Sequence, residues 1–436
     1  MPTVVPRRAR PPRRRVRGAA TLVVVLMLLI VAALAAAYAS RNIVFEQRTA
    51  ANQARATQAF EAAEAGLEWA LAMLHAGRVD AACTPLADPD VRGETFRDRR
   101  LAIDPATGRV AARLRSDGQP RQAACVADGS AWRCSCPDDA APALAAPGGD
   151  GPAPAFVVRL HDDAAHPPGV VRVESTGCAR LDGAAVCPTA SDPGDGRATV
   201  SVLVALKGAL ANAPAAAVTV RSDLDVGHLV LRAANRDAAS GGVTLHVGGT
   251  LAGTPLALHG PAGAPPESTV ADEPDGGPLA RLDADRLFTS IVGMGRDTYR
   301  AQPATVVVDC AADCSARTLQ HVARLHPGTM LWVDGTLRLD ADVTLGTPEA
   351  PVVLVVDGDV EVADADVRIH GLVVVTGSSW ATSSATTTVH GALVGQGDLA
   401  FTGTGTSTVD HDPDVLARLR LTQGSFARVP GSWRDF

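Results

Sequence analysis

The sequence predicts an α+β chain that passes into an all-β one: a long N-terminal helix, an antiparallel β-meander, and a C-terminal parallel β-solenoid, with a β-sandwich as the alternative for the last part. Three observations predict it. Residues 19–39 form an unbroken apolar run, β-branched and partly alternating segments follow between Phe156 and Leu206, and from Ala215 onward short strands recur at near-regular spacing. The 436 residues are 46% hydrophobic and 20% charged, which suits folded domains and excludes a disordered chain.

Charge separates the two ends of the chain. Lys plus Arg number 40 and Asp plus Glu 47, yet Arg7, Arg8, Arg10, Arg13, Arg14, Arg15 and Arg17 precede the apolar run without one acid. The remainder holds 33 basic against 47 acidic side chains, a net −14. An acidic body without a basic face has no electrostatic footprint for nucleic acid.

In the 21 residues from Ala19 to Ala39, only Thr21 and the hydroxyl of Tyr38 are polar. A helix there is long enough to cross the hydrocarbon core, about 30 Å. Arginines on its N-terminal side, with the first acid at Glu46, orient it as a single inner-membrane pass with the leader cytoplasmic and the rest periplasmic. A cleaved signal peptide is the alternative, with Ala35-Ala36-Ala37 as its site; its apolar core is ordinarily only about 7–15 residues. The helical pattern also continues: Phe60, Ala63, Leu67, Leu71 and Leu74 draw one apolar stripe, with Glu61, Glu64 and Glu68 opposite. One helix over residues 19–76, ended near Gly77, would reach about 85 Å at 1.5 Å per residue.

The junction Arg17-Gly18-Ala19-Ala20-Thr21-Leu22-Val23, the Ala51-Asn52-Gln53 segment and Ala59-Phe60-Glu61-Ala62-Ala63-Glu64-Ala65-Gly66 resemble the N-terminus of type IV minor pilins of the PilX kind, over about residues 10–75. The resemblance implies a basic leader, residues 1–18, removed by prepilin peptidase between Gly18 and Ala19, N-methylation of Ala19, and retention of the apolar helix. It also implies the major pilin and other minor pilins as partners, and eventual location in a pilus or at the cell surface. The sequence departs from major pilins at Val23, where they carry a glutamate. In a filament that buried carboxylate neutralises the terminal ammonium of a neighbour, because an unpaired charge in an apolar bundle is costly. A subunit lacking it suits the filament tip or a priming complex, and the same absence marks the K pseudopilin of type II secretion. A plain membrane anchor is the bland reading of the same helix.

Eight cysteines, Cys83, Cys125, Cys134, Cys136, Cys178, Cys187, Cys310 and Cys314, all follow the span and therefore face an oxidising compartment. Disulfides are expected, with Cys178 to Cys187 and Cys310 to Cys314 as local staples and Cys134 and Cys136 pairing with different distant cysteines. Zinc is disfavoured because Cys134-Ser-Cys136 lacks the paired Cys-x2-Cys spacing.

Residues 77–214 read as a pilin-like α/β domain with disulfide-rich loops, in which 137–154 is an exposed loop and 156–160, 170–175 and 198–206 are meander strands. Residues 215–436 read as the solenoid-like domain. Ile369-His370-Gly371-Leu372-Val373-Val374 recurs 20 residues later as Val389-His390-Gly391-Ala392-Leu393-Val394, while Gly335, Gly358, Gly377 and Gly397 keep similar step. Residues 352–356 are apolar on both faces, as a strand covered on two sides requires, and a helical insertion is expected over 283–299.

The chemical candidates are few. Asp357, Asp359 and Glu361, followed by Asp364 and Asp366, are the calcium candidates, but no EF-hand spacing accompanies them and a solvated strand face is expected instead. His161, Asp162, Asp163 and His166 read as a polar loop beside Pro167 and Pro168, His370 and His390 as a structural ladder, and Asp410, His411, Asp412 and Asp414 as a turn before a helix near 415–420. No Gly-x-Ser-x-Gly, Walker loop or His-Glu-x-x-His occurs. The expectation is a pilus assembly subunit, not an enzyme, without cofactor or metal. Alternatives are a type II secretion pseudopilin and a membrane-tethered binding protein or carbohydrate-active enzyme.

Overall fold

The computed structural model describes residues 18–148, 153–162, 166–181, 186–187, 196–254, 256–273, 277–310 and 314–435. The basic leader up to Arg17, Asp163, and residues 149–152 of the expected loop lie outside these. Helix α1 spans Gly18–Met73 and is apolar enough over its first part to cross a membrane. It stops short of residue 76 because its last turn tightens: His75 N–H donates to Ala72 and Ala76 N–H to Met73, three residues back.

The inner half of α1 is buried because a sheet covers it. Strands Gln122–Asp128, Ala131–Ser135, Ala155–Asp162, Val170–Cys178 and Arg197–Gly208 pair antiparallel, as the alternating β-branched runs predict. Ala63, Leu67 and Ala70 of α1, with Leu74 just past its end, share one core with Phe156, Val158, Val171, Val173, Val200 and Val202 of these strands. Two further strands complete this seven-stranded sheet, and both come from the C-terminus: Gly424–Arg428 and Arg434–Asp435 pair antiparallel with Arg197–Gly208. The expected 215–436 unit therefore does not run to the C-terminus. The segment between Gly208 and Gly424 leaves the sheet and returns to its edge.

That segment is built from parallel pairs, so the chain as a whole is a long apolar helix followed by mostly strand, in mixed antiparallel and parallel sheets. One parallel sheet has twelve strands and the other six among the described residues. The 20-residue sequence repeat is the register between neighbours: His370 stands beside His390 and Gly371 beside Gly391 in strands Asp366–Val375 and Thr386–Gly395. Both glycines lie where the strand changes face, at φ 152° and 141°. A β-carbon on Gly371 would overlap the Val352 carbonyl and one on Gly391 the Gly371 carbonyl, so side chains are excluded by the stacking itself. Gly358 and Gly377 stack in the same way, each against the glycine one layer before it, Gly335 and Gly358.

The layers do not follow chain order. Strands Thr305–Asp309, Met330–Asp334, Val352–Asp357, Asp366–Val375 and Thr386–Gly395 succeed one another, and Thr386–Gly395 then pairs with Val218–Val220, which pairs with Leu245–Val247 and that with Val270–Asp272. The chain starts in the middle, runs out to one end, and crosses back to begin the other. The return carries helices Ala284–Val292 and Arg296–Arg300, two where one insertion is expected, with Gly293 in the left-handed conformation between them. Their Leu287, Phe288, Ile291 and Tyr299 pack with Leu416 and Leu419 on Trp332, Val353, Val355, Leu372 and Val374. This second cover explains the strands that are apolar on both faces; their opposite face, including Leu331, Leu354 and Val373, forms the inner core. Helix Ala316–Leu325, not anticipated, closes one end with Leu319 and Ala323 in that inner core.

Candidate assembly helix

The candidate site is α1, which has two halves with opposite surroundings. From Leu22 to Phe45 its large apolar residues are bare; Val23 is 54% and Phe45 71% exposed. Val23 lies in the apolar run that ends at Ala39, with no carboxylate before Glu46. From Ala59 onward the helix is docked, and Ala59, Ala63 and Ala70 are fully buried.

Small residues set how closely the helix approaches the sheet. A β-carbon on Gly177 would collide with the backbone of Ala59 and Ala63 and sit 2.9 Å from the Ala62 carbonyl carbon. On Gly66 it would sit 2.6 Å from Phe156 Cγ. Trp69 fixes the helix rotation, with its ring edge-on to Phe96 at 5.4 Å and tilted on Phe156 at 5.6 Å. The C-terminal segment clamps the same helix and the turn that follows it: Arg428 pairs with Glu68, Phe60 packs edge-on against Trp433 at 6.4 Å, and the Phe426 amide donates to His75 Nε2 at 2.9 Å. Burial pushes the His75 imidazole below its ordinary value, consistent with a neutral ring that accepts this bond.

The cysteines pair as Cys83–Cys136, Cys125–Cys134, Cys178–Cys187 and Cys310–Cys314. Cys134 and Cys136 do take different partners, but Cys134 bonds Cys125 directly across a hairpin, with Cα atoms 4.0 Å apart, rather than a distant cysteine. Successive side chains of a strand point to opposite faces, whereas Cys136 lies just beyond the strand and reaches back to Cys83.

The other sequence candidates are dispersed in ordinary structural roles. Asp357 and Glu361 fall in separate strands, Val352–Asp357 and Val360–Ala363, rather than alternating along one. Asp357 pairs with Arg296 at 2.7 Å, Glu361 with Arg338 at 3.0 Å, and Asp359 accepts the amides of Ser378 and Ser379. Asp364 takes a left-handed turn position at φ 49°, and Asp366 pairs with Arg368 at 3.2 Å. His161 and Asp162 end a meander strand, and His161 Nε2 lies 3.7 Å from Glu174. His370 and His390 stack at 4.9 Å with their planes 17° apart, and His390 faces Asp410 at 3.7 Å. Asp412 caps helix Pro413–Leu421. Among the described residues, no group of three or more His, Cys, Asp or Glu converges on a metal position.

Helix α1 thus has a bare apolar half and a half docked on an antiparallel sheet. Residues 17–68 match the PilX N-terminal family, so this N-terminal segment is similar to that of type IV minor pilins. A comparison with curated proteins finds no match. Among solved structures, the competence-associated pilin ComZ from Thermus thermophilus is similar at 12% identity over 88% of this chain and 97% of that chain, with a TM-score of 0.21. So low a score carries no argument about the fold or function.

Proposed function

We propose that this protein is a type IV pilus minor pilin that enters the inner membrane as a single pass with residues 77–436 periplasmic. Prepilin peptidase then cuts between Gly18 and Ala19, and the bare half of α1 passes from lipid into a bundle of pilin helices. The observation that carries this reading is the division of α1: its apolar residues up to Phe45 find no partner within the chain, while those after Ala59 are committed to the sheet. Apolar area of that extent is stable only in lipid or against other apolar surface. We further propose that Val23 places the subunit at the filament tip or in a priming complex, since no carboxylate is available there for a neighbour's ammonium.

The parallel, face-changing layers between Val218 and His411 support a β-solenoid as the displayed body, for contact with surfaces or other minor pilins and without catalysis. Its insertion between two neighbouring strands of the meander supports rigid display. The sequence division of 1–18, 19–76, 77–214 and 215–436 is then better drawn with residues 424–435 joined to the meander. A type II secretion pseudopilin is the second reading, because Val23 suits that role as well. Mass spectrometry of the mature protein tests processing: a methylated Ala19 is the expected N-terminus, and a start at Met1 or Pro2, or near Ala37, overturns it. Deletion separates the two readings, through loss of pili or loss of secretion.

A further inference from the structure

Behind the Cys83–Cys136 disulfide lies a cluster in which three guanidinium groups share one carboxylate. Arg99, Arg100 and Arg121 approach Asp138 at 3.0, 3.7 and 3.6 Å. Arg99 takes both carboxylate oxygens through Nε and Nη2 and donates further to the carbonyls of Asp80 and Cys136. Arg121 Nη1 donates to the Arg99 carbonyl at 3.1 Å, and Arg100 Nη1 to that of Pro137 at 3.0 Å. These bonds leave Arg100 Nε and Nη2, the same fork that Arg99 uses to hold a carboxylate, buried and without a partner among the described residues, together with Arg121 Nε.

The Arg100 side chain is 0% exposed, and its guanidinium lies over the Phe96 ring at 5.5 Å. Stacking covers its face and leaves the edge donors unused. A buried charged donor without an acceptor costs about 1–3 kcal/mol or more, and the cluster as a whole holds two positive charges beyond what Asp138 offsets. Water would satisfy the N–H groups but not the excess charge; an anion does both. A cleft of about 550 Å³, lined by Arg78, Arg92 and Arg99 and by the carboxylates of Asp80, Glu94 and Asp138, gives solvent access to Arg99 and Asp138 of the cluster, and its own charges balance, so the excess charge lies at the buried Arg100 and at Arg121. Burial, and then the charges of Arg99 and Arg121, push Arg100 down to about 10 against the opposing pull of Asp138.

We propose that the open Nε and Nη2 fork of Arg100 is a buried binding site for a small inorganic anion, which completes the cluster that holds residues 136–138 and their disulfide in place. Chloride is the probe. With the full chain in detergent, the 35Cl resonance should show excess broadening that saturates with protein-bound chloride. Arg100→Met should remove most of it, whereas Arg324→Met, at a surface ion pair with Asp90, should leave it unchanged. Displacement by bromide assigns a halide, and displacement by phosphate alone assigns a compact oxyanion. Should Arg100→Met not fold, a bromide-soaked crystal of the unaltered chain should show an anomalous peak within hydrogen-bond distance of Arg100 Nε and Nη2. No saturable broadening in the unaltered chain, broadening unchanged in Arg100→Met, or a water or protein side chain at that fork would overturn the proposal.

Discussion

Gly177→Ala should force α1 away from the sheet. The added methyl group would overlap the Ala59 carbonyl and the Ala63 amide, and even the Ala62 carbonyl carbon would lie at 2.9 Å, where ordinary contact begins near 3.4 Å. All three obstacles are backbone, so no rotamer change relieves them, and the helix must retreat by about 1 Å, a gap that forfeits roughly a quarter to a half of each dispersion contact it opens. The residues displaced include Ala63, Leu67 and Ala70, all in the core with Phe156. Overpacking of this kind costs about 1–3 kcal/mol, and the unyielding neighbours place Gly177→Ala near the upper end. Gly397→Ala is the matched control, since its β-carbon meets nothing within 4 Å and surface changes stay within about 0.5 kcal/mol. Urea unfolding of the full chain in detergent, followed by far-UV circular dichroism, measures both. If Gly177→Ala shifts the midpoint no more than Gly397→Ala does, the close helix-on-sheet contact is not what holds the two together.

Other expectations concern the clamp, the staples and assembly. The loop closed by Cys83–Cys136 spans 53 residues and that by Cys310–Cys314 only 4, so chain entropy gives about 4 against about 2 kcal/mol for the two bonds; equal losses in the paired Cys→Ser variants would contradict that account. Because the folded His75 pKa is depressed, its neutral form contributes stability that is present above pH about 6.5 and is lost as pH falls through the folded value. Melting temperatures between pH 8 and 5 should therefore fall less in His75→Gln than in the unaltered protein, and parallel curves would count against the role of the Phe426 bond. Val23→Glu should move the protein along the filament as seen by immunogold labelling; unchanged position and pilus number would count against the tip reading.

The legible features were those encoded by neighbours in sequence. The run from Ala19 to Ala39 and the stripe from Phe60 to Leu74 specify a helix and its buried side through spacing alone. The 20-residue repeat around His370 and His390 specifies a register because identical segments stack best upon themselves. Helix Ala316–Leu325 is not legible in the sequence because only Leu319 and a few small residues mark its buried side. The pairing of Gly424–Arg428 with Arg197–Gly208 is not legible either, because nothing local in a five-residue strand says which sheet edge it will meet.

An apolar N-terminal helix, a meander and a field of short repeating strands are written in the order of residues alone, since periodicity is a local property that needs no fold to be read. Which thiols meet, where the C-terminal strands return, in what order the parallel layers stack, and that three arginines crowd one aspartate follow from the folded arrangement. Each of these depends on which distant residues arrive within bonding distance once the chain is folded, and burial then turns such neighbours into partners that spacing along the chain does not record.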